Sequence, residues 1–289
     1  METIPDVGLV DAHVHLWDPD RVPVPWLAEF PRLNRAYLLE DYDAACGDVR
    51  VDAMVFVQCQ VDPDRFLDEA DWVVSLADRD PRLRGMVFWA PLERGEAART
   101  SLEALAAKSQ RVKGIRRIIE FEEDPEFAVR EDFVRGVRML SEYGLSFDLC
   151  ISHAQLPVTL RLVERCTEVR FVLDHIAKPD IKAGELDPWR EHIRALASFP
   201  NVVCKISGLV NEADWQQWTA EDLKPYVDHV IECFGFDRVL FGGDWPVCTL
   251  AGTWTGWVEA LVWALRGCPA EDMRKLLRTN AIRAYRLDL

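Results

Sequence analysis

The 289-residue chain contains no apolar run long enough to cross a bilayer, no Cys-x-x-Cys pair and no glycine-rich loop after its first predicted strand. The first absence argues against a membrane protein, because a spanning helix needs about 20 consecutive apolar residues. The second leaves no disulfide framework to read. The eight cysteines, at 46, 59, 150, 166, 204, 233, 248 and 268, are scattered and are expected to be buried thiols in a reducing compartment. The third argues against an open nucleotide-binding sheet, whose first turn needs glycines to approach a pyrophosphate. Positive charge is also scarce: 34 Lys and Arg stand against 49 Asp and Glu, a net −15. Nucleic acid is therefore excluded as a partner, since it demands clustered cations. A small anionic ligand is not, because a few arginines in a pocket can dominate the local field. The opening Met-Glu-Thr-Ile-Pro-Asp has neither the basic region nor the apolar stretch of a signal peptide, so a cytoplasmic location is expected.

Short β-branched or apolar runs alternate with longer amphipathic stretches throughout. Eight runs read as strands: Gly8 to His13, Ala53 to Gln58, Gly85 to Trp89, Val112 to Ile119, Ser146 to Ile151, Arg170 to Leu173, Val202 to Ile206 and Val239 to Phe241. Helices are expected at Asp64 to Ala77, Glu93 to Ser109, Arg130 to Tyr143, Trp189 to Ser198, Glu221 to Phe234, Trp257 to Arg266 and Ala270 to Leu277. Eight strand–helix units in under 300 residues predict an α/β fold, one (β/α)8 barrel of parallel strands with an outer ring of helices over residues 1–289. The segment Asp18 to Glu40, rich in proline and aromatics, reads as a long loop near the barrel mouth, a candidate lid.

In such a barrel the residues just past each strand converge on one pocket. Here they are strongly polar: His13 and His15, Gln58 and Gln60, Arg116, Arg117 and Glu120, His153, Asp174 and His175, Lys205 and Ser207, and Asp244. Strand alternation sends His13 and His15 to the same side, where two imidazoles can bind a metal, pass a proton or hydrogen-bond a developing charge. Four of the six histidines lie at strand ends, whereas His192 and His229 fall inside predicted helices. Asp244 follows Gly242-Gly243 and precedes Trp245-Pro246, a turn that lets backbone approach a ligand while the carboxylate acts as a base on water. Packing or capping would account for any one of these residues alone.

His13-Val14-His15 with Trp17 and Pro19, Gly114-Ile115-Arg116, Asp174-His175 through Lys178-Pro179, Lys205-Ile206-Ser207-Gly208-Leu209 and Phe241 through Pro246 together resemble the amidohydrolase superfamily. More closely they are similar to its amidohydrolase-2 branch of L-fuconolactonase and L-rhamnonolactonase-like lactone hydrolases. The resemblance spans nearly the whole chain, ending in Asn280-Ala281 and Tyr285, with Ala177 where the family often has Gly and Gly243 where it often has Ser. It implies that His13, His15 and His175 surround a lactone carbonyl while Asp244 activates water. Arg116, Gln58, Trp17, Lys205, His153 and Trp245 are the expected substrate contacts, amides and cations meeting hydroxyls while indoles cover an apolar ring face. The cofactor is expected to be either none or one zinc ion on His13, His15 and Asp244. Relatives with two metals carry a bridging modified lysine at the end of the fourth strand, where this chain has Arg116 through Glu120; Glu120 is a further candidate ligand. The expected substrate is a sugar-acid lactone, foremost L-fuconolactone. A zinc-dependent decarboxylase, a hydrolase of dicarboxylate (pyrone) lactones and a non-catalytic sugar-acid sensor are the alternatives.

Overall fold

The computed structural model describes residues 6–289, so residues 1–5, part of the opening stretch read for a signal segment, lie outside the described residues. Eight parallel strands form one sheet in chain order: β1 (Leu9–Val14), β2 (Val51–Val57), β3 (Leu83–Phe88), β4 (Val112–Ile115), β5 (Ser146–Leu149), β6 (Arg170–Leu173), β7 (Val202–Ile206) and β8 (Val239–Phe241). The ends of β1 and β8 meet where the His15 amide donates to the Trp245 carbonyl (2.7 Å) and the Asp244 amide to that of His13 (2.8 Å). The sheet thereby curls into the expected (β/α)8 barrel. Among the described residues no helix is long and apolar enough to cross a membrane.

The strands read as nearly continuous apolar runs because both of their faces are covered, by the outer helices on one side and the barrel interior on the other. The interior packs Val10, Ala53, Val55, Val87, Val172 and Leu240 against Tyr285 and Leu287. Val10 and Ala12 belong to this inner cluster, but Val14 belongs to the outer one. The register shift between Asp11 and Val14 accounts for the change of face. It leaves both histidines of the pair pointing into the mouth.

β4 stops at Ile115 rather than Ile119; the Arg116 amide makes one further bond, to the Phe88 carbonyl (2.8 Å), and its side chain turns into the mouth beside His13 and Asp174. Helices outside the anticipated ranges include Leu39–Cys46, Leu156–Arg165 and the short Leu209–Glu212. The second has Pro157 in its first turn, where a missing N–H costs nothing. The C-terminal stretch from Ala270 divides into Ala270–Arg274, a π turn Lys275–Thr279 and a further helix, Asn280–Tyr285. All eight cysteines are free, six of them buried.

The segment from Asp18 to Glu40 runs over the mouth and is tied down. Trp17 pairs with Tyr37 as an isolated bridge, the Trp26 indole donates to the Cys59 carbonyl (2.9 Å), and Arg32 donates to the Thr249 carbonyl (2.9 Å).

One buried carboxylate closes the barrel. Asp11 accepts from the amides of His13 (3.0 Å) and Gly243 (2.7 Å), the Trp254 indole (2.8 Å) and the Tyr42 hydroxyl (2.9 Å). A Cβ on Gly243 would lie 2.1 Å from the Trp254 indole nitrogen and 2.4 Å from Asp11 Oδ2, so this position needs glycine where Trp254 reaches Asp11. Burial pushes the Asp11 carboxyl up to about 6 despite these donors. Asp11→Ala strands four buried donors and is expected to lower unfolding free energy by about 3–5 kcal/mol in a urea titration; a loss under about 1 kcal/mol would show that the strands close without it.

Candidate active site

At the C-terminal ends of the strands lies a cavity of about 280 Å³ whose wall includes His15, Arg116, His175, Lys178, Asn211 and Asp244. Its floor is a cluster of imidazoles around one carboxylate oxygen. Asp244 Oδ1 is 3.4 Å from His15 Nε2, 3.6 Å from His13 Nε2 and 4.0 Å from His175 Nε2, and the two β1 histidines are 3.2 Å apart through their Nε2 atoms. The other Asp244 oxygen accepts from Asn211 Nδ2 at 2.8 Å. Two strand ends at opposite ends of the chain thus share one point.

Each group is aimed by something specific. Asp244 itself is left-handed, with φ 52°. His175, Ile176, Ala177 and Lys178 form a run of four left-handed non-glycine residues, φ 53°, 49°, 62° and 47°. Such a run costs about 1 kcal/mol or more per residue, and packing and hydrogen bonds hold it. The Trp189 indole donates to the Ile176 carbonyl (2.7 Å), His153 Nδ1 lies 2.8 Å from the Lys178 carbonyl, and Ile176 and Ala177 are fully buried. Gly208 faces the His175 ring so closely that a Cβ would lie 2.5 Å from Nδ1. Ser207 Oγ meets the same nitrogen at 2.9 Å.

The charges follow from burial and pairing. Burial pushes His175 down to about 4. His13 is lowered well below its usual value by burial first and by the Lys205 ammonium second. Both rings are therefore neutral at neutrality. Burial opposes ionisation of Asp244, but His175, the hydrogen bond to His15 and the remaining imidazoles outweigh it and hold the carboxyl below the ordinary range. Asp174 is likewise held low: burial acts against it, and Lys205 prevails.

The expected substrate contacts divide. Arg116 lines the cavity, its guanidinium 3.3 Å from both His13 Nε2 and Asp174 Oδ2 and donating to the Gln58 carbonyl at 2.7 Å. The other five lie behind the wall, which corrects the expectation of direct contact. Lys205 is fully buried inside the barrel between Asp148 (2.9 Å) and Asp174 (2.8 Å), and 3.3 Å from His13 Nδ1. The Gln58 side chain accepts from the Gln60 amide (2.5 Å) and is fully buried. Trp17 donates to the Arg35 carbonyl (2.9 Å), and Trp245 packs edge-on against Tyr37 and Tyr42. His153 is spent on the Lys178 carbonyl, and Glu120, a candidate ligand by sequence, is ion-paired with Lys178. Residues that sequence reasoning missed are Asn211, Glu212, Phe121 and Trp215, all on the cavity wall. The signal was available for two of them: Asn211 and Glu212 lie just past Ser207-Gly208 at the end of β7.

The donor set fits a divalent ion. His15 Nδ1 is 2.7 Å from the Val57 carbonyl, which takes its proton and leaves Nε2 a lone pair, and His13 Nε2 faces the Arg116 guanidinium at 3.3 Å, a group that only donates, so it too is an acceptor. Two lone pairs and an anionic oxygen face one another; beyond the Arg116 guanidinium near His13, a cation is what relieves them. Zinc–nitrogen bonds of about 2.0–2.1 Å put tetrahedral donors roughly 3.3 Å apart, close to the spacings among His13, His15 and Asp244.

Residues 10–287 match the profile of the family described as amidohydrolase. The chain belongs to the amidohydrolase family. It is 32% identical to an L-fucono-1,5-lactonase from Burkholderia multivorans over 96% of both chains, and 22% identical to an L-rhamnono-gamma-lactonase from Scheffersomyces stipitis over 96% of this chain and 98% of that one. A solved amidohydrolase from Burkholderia multivorans with bound zinc superposes with a TM-score of 0.86 at 30% identity, covering 97% of this chain and 99% of that one. This amidohydrolase therefore shares its fold with a protein that holds zinc.

A buried carboxyl also tethers the cavity wall. Glu69 Oε1 accepts from the Cys59 amide (2.7 Å), and burial pushes its pKa up to about 7. An acid raised in the folded state is neutral at low pH and becomes an uncompensated charge as pH climbs from its unfolded to its folded value. Folding is thus expected to lose up to about 3 kcal/mol through this group between roughly pH 4.5 and 7. Glu69→Gln should flatten that part of the stability–pH curve; an unchanged difference between denaturation midpoints at pH 5 and pH 8 would refute the assignment.

Proposed function

We propose that this amidohydrolase hydrolyses sugar-acid lactones, with L-fucono-1,5-lactone the first candidate. The observation that carries the reading is the convergence of His13, His15 and His175 on one oxygen of an ionised, buried Asp244 at the floor of the cavity. The 32% identity to an L-fucono-1,5-lactonase over almost the full chain supports the choice of substrate.

Opening a lactone needs a nucleophilic water, a partner for the charge that develops on the carbonyl oxygen, and a proton for the departing ring oxygen. Asp244 is the base. Asn211 engages its Oδ2, which leaves Oδ1 turned toward the imidazoles to accept a proton from water. The same carboxyl then returns that proton to the ring oxygen as the ester bond breaks, so one group serves as base and then acid. Neutral His175, its Nδ1 held by Ser207, and the Arg116 guanidinium offer N–H groups to the developing oxyanion. Lys205 and Asp174 act at a distance: the ammonium keeps His13 neutral, and the carboxylate lies 3.4 Å from its Nδ1.

His13, His15 and Asp244, with His175 beside them, would hold one zinc ion, which when bound supplies Lewis acidity to the carbonyl and acidity to water. Purified protein is expected to contain about one zinc per chain by mass spectrometry, falling severalfold in His15→Ala. Metal content unaffected by that change would place the ion elsewhere.

Asp244→Asn is expected to cut lactone turnover by at least about a thousandfold with an unaltered circular dichroism spectrum, in a pH-indicator assay over L-fucono, L-rhamnono, L-galactono and D-arabinono lactones. Normal turnover by that variant would remove Asp244 as the base. Carbon dioxide release from an aromatic acid, with no action on any lactone, would replace the hydrolytic reading by decarboxylation.

A further inference from the structure

The wall opposite the imidazoles has its own chemistry. Lys178 and Arg116 are the Lys and Arg side chains that line the cavity, and both are matched: Lys178 is paired with Glu120, and Arg116 with Asp174. Glu212, on the short helix Leu209–Glu212 after β7, lines the same cavity, and its carboxylate has no hydrogen bond or ion pair among the described residues. Beside it, Asn211 gives its amide hydrogens to Asp244, so the oxygen of that amide, buried at the wall, has no donor. Two adjacent acceptors therefore lack hydrogen-bond donors. The rim carries the complementary apolar surface. Of the three large hydrophobic side chains left exposed among the described residues, Phe121 (68%), Trp215 (44%) and Leu289, the first two line this cavity.

Unpartnered acceptors next to exposed aromatic faces suit a ring that offers hydroxyl donors at its edge and C–H groups on its face. They do not suit an anion: Lys178 and Arg116 are already paired, and Glu212, whose carboxyl burial pushes up to about 7 against the pull of Lys178, adds a negative charge above that pH.

We propose that Glu212 is the specificity-determining residue of the cavity: it accepts hydroxyl groups of an uncharged, polyhydroxylated ring lying against Trp215 and Phe121, and it excludes lactones that carry a carboxylate or sulfonate on the same ring. Asn211 supplies the second acceptor and ties recognition to the reacting centre, since the same amide engages Asp244. The inference rests on the lactonase reading for its ring but concerns charge discrimination, which is measured apart from turnover.

The probes are galactono-1,4-lactone and galactaro-1,4-lactone, which differ by a carboxylate in place of a terminal CH2OH. Binding of each to Asp244→Asn protein at pH 8.5, where Glu212 is ionised, followed by tryptophan fluorescence, is expected to favour the neutral lactone by at least about tenfold. Adding Glu212→Gln, which keeps the shape and one acceptor oxygen but removes the charge, should shrink that ratio about fivefold or more, and Glu212→Lys should reverse it. Equal binding of the two probes, a ratio unmoved by Glu212→Gln, or equal weakening of both ligands, as a merely structural defect would give, overturns the proposal. Should the wild-type protein turn over neither lactone while the binding preference and its loss are seen, the hydrolytic reading fails and the discrimination by Glu212 stands.

Discussion

The Asp11 carboxylate is the constraint on which the rest of the molecule depends. It binds the amides of His13 and Gly243, and through them the exit of β1 and the exit of β8, while Trp254 and Tyr42 anchor it to the outer helices. A parallel barrel has no covalent reason to bring its first and last strands into register. A buried carboxylate whose donors come from both strand ends supplies one, because leaving any of those donors unpaired away from water is costly. The geometry of the candidate site is a consequence: His13 and His15 stand two and four residues after Asp11, and Asp244 stands one residue after Gly243.

Beneath the floor of the cavity the barrel interior holds a ladder of alternating charge: Tyr285, Asp148, Lys205, Asp174, then His13 and Arg116. A fully buried ammonium is tolerated because two carboxylates flank it, and each carboxylate stays within reach of a further donor. The arrangement transmits a protonation state upward. Lys205 opposes a second positive charge on His13, Asp174 stands 3.4 Å from the ring's Nδ1, and Nε2 faces the Arg116 guanidinium as an acceptor. The C-terminal helix thus takes part in the site from the far end of the barrel through one phenol.

Much of this was legible in the chain. The β-branched runs of β6, β7 and β8 have the limits the sequence suggested, and His13, His15, His175 and Asp244 meet as strand-end logic required. The logic failed where direction mattered more than position. Lys205 is at a strand end and was expected at the substrate, but its side chain turns into the barrel to neutralise Asp148 and Asp174. Trp17 and Trp245 are near the mouth, yet their rings fill space behind it. Glu212 and Asn211 escaped notice because they lie on a four-residue helix with no periodic signature of its own.

Sequence alone determined which side chains were available at the strand ends, and hence the class of chemistry, because alternation and strand count follow from local pattern and the barrel sends every strand end to one face. Only the tertiary structure decided which of them reach the cavity. The register shift within β1 turns the histidine pair inward, and the left-handed run from His175 to Lys178 exists only because Trp189 and His153 hold its carbonyls. Neither is encoded in the residues that adopt it: His175, Ile176, Ala177 and Lys178 have no intrinsic preference for positive φ, and the contacts that impose it come from elsewhere along the chain.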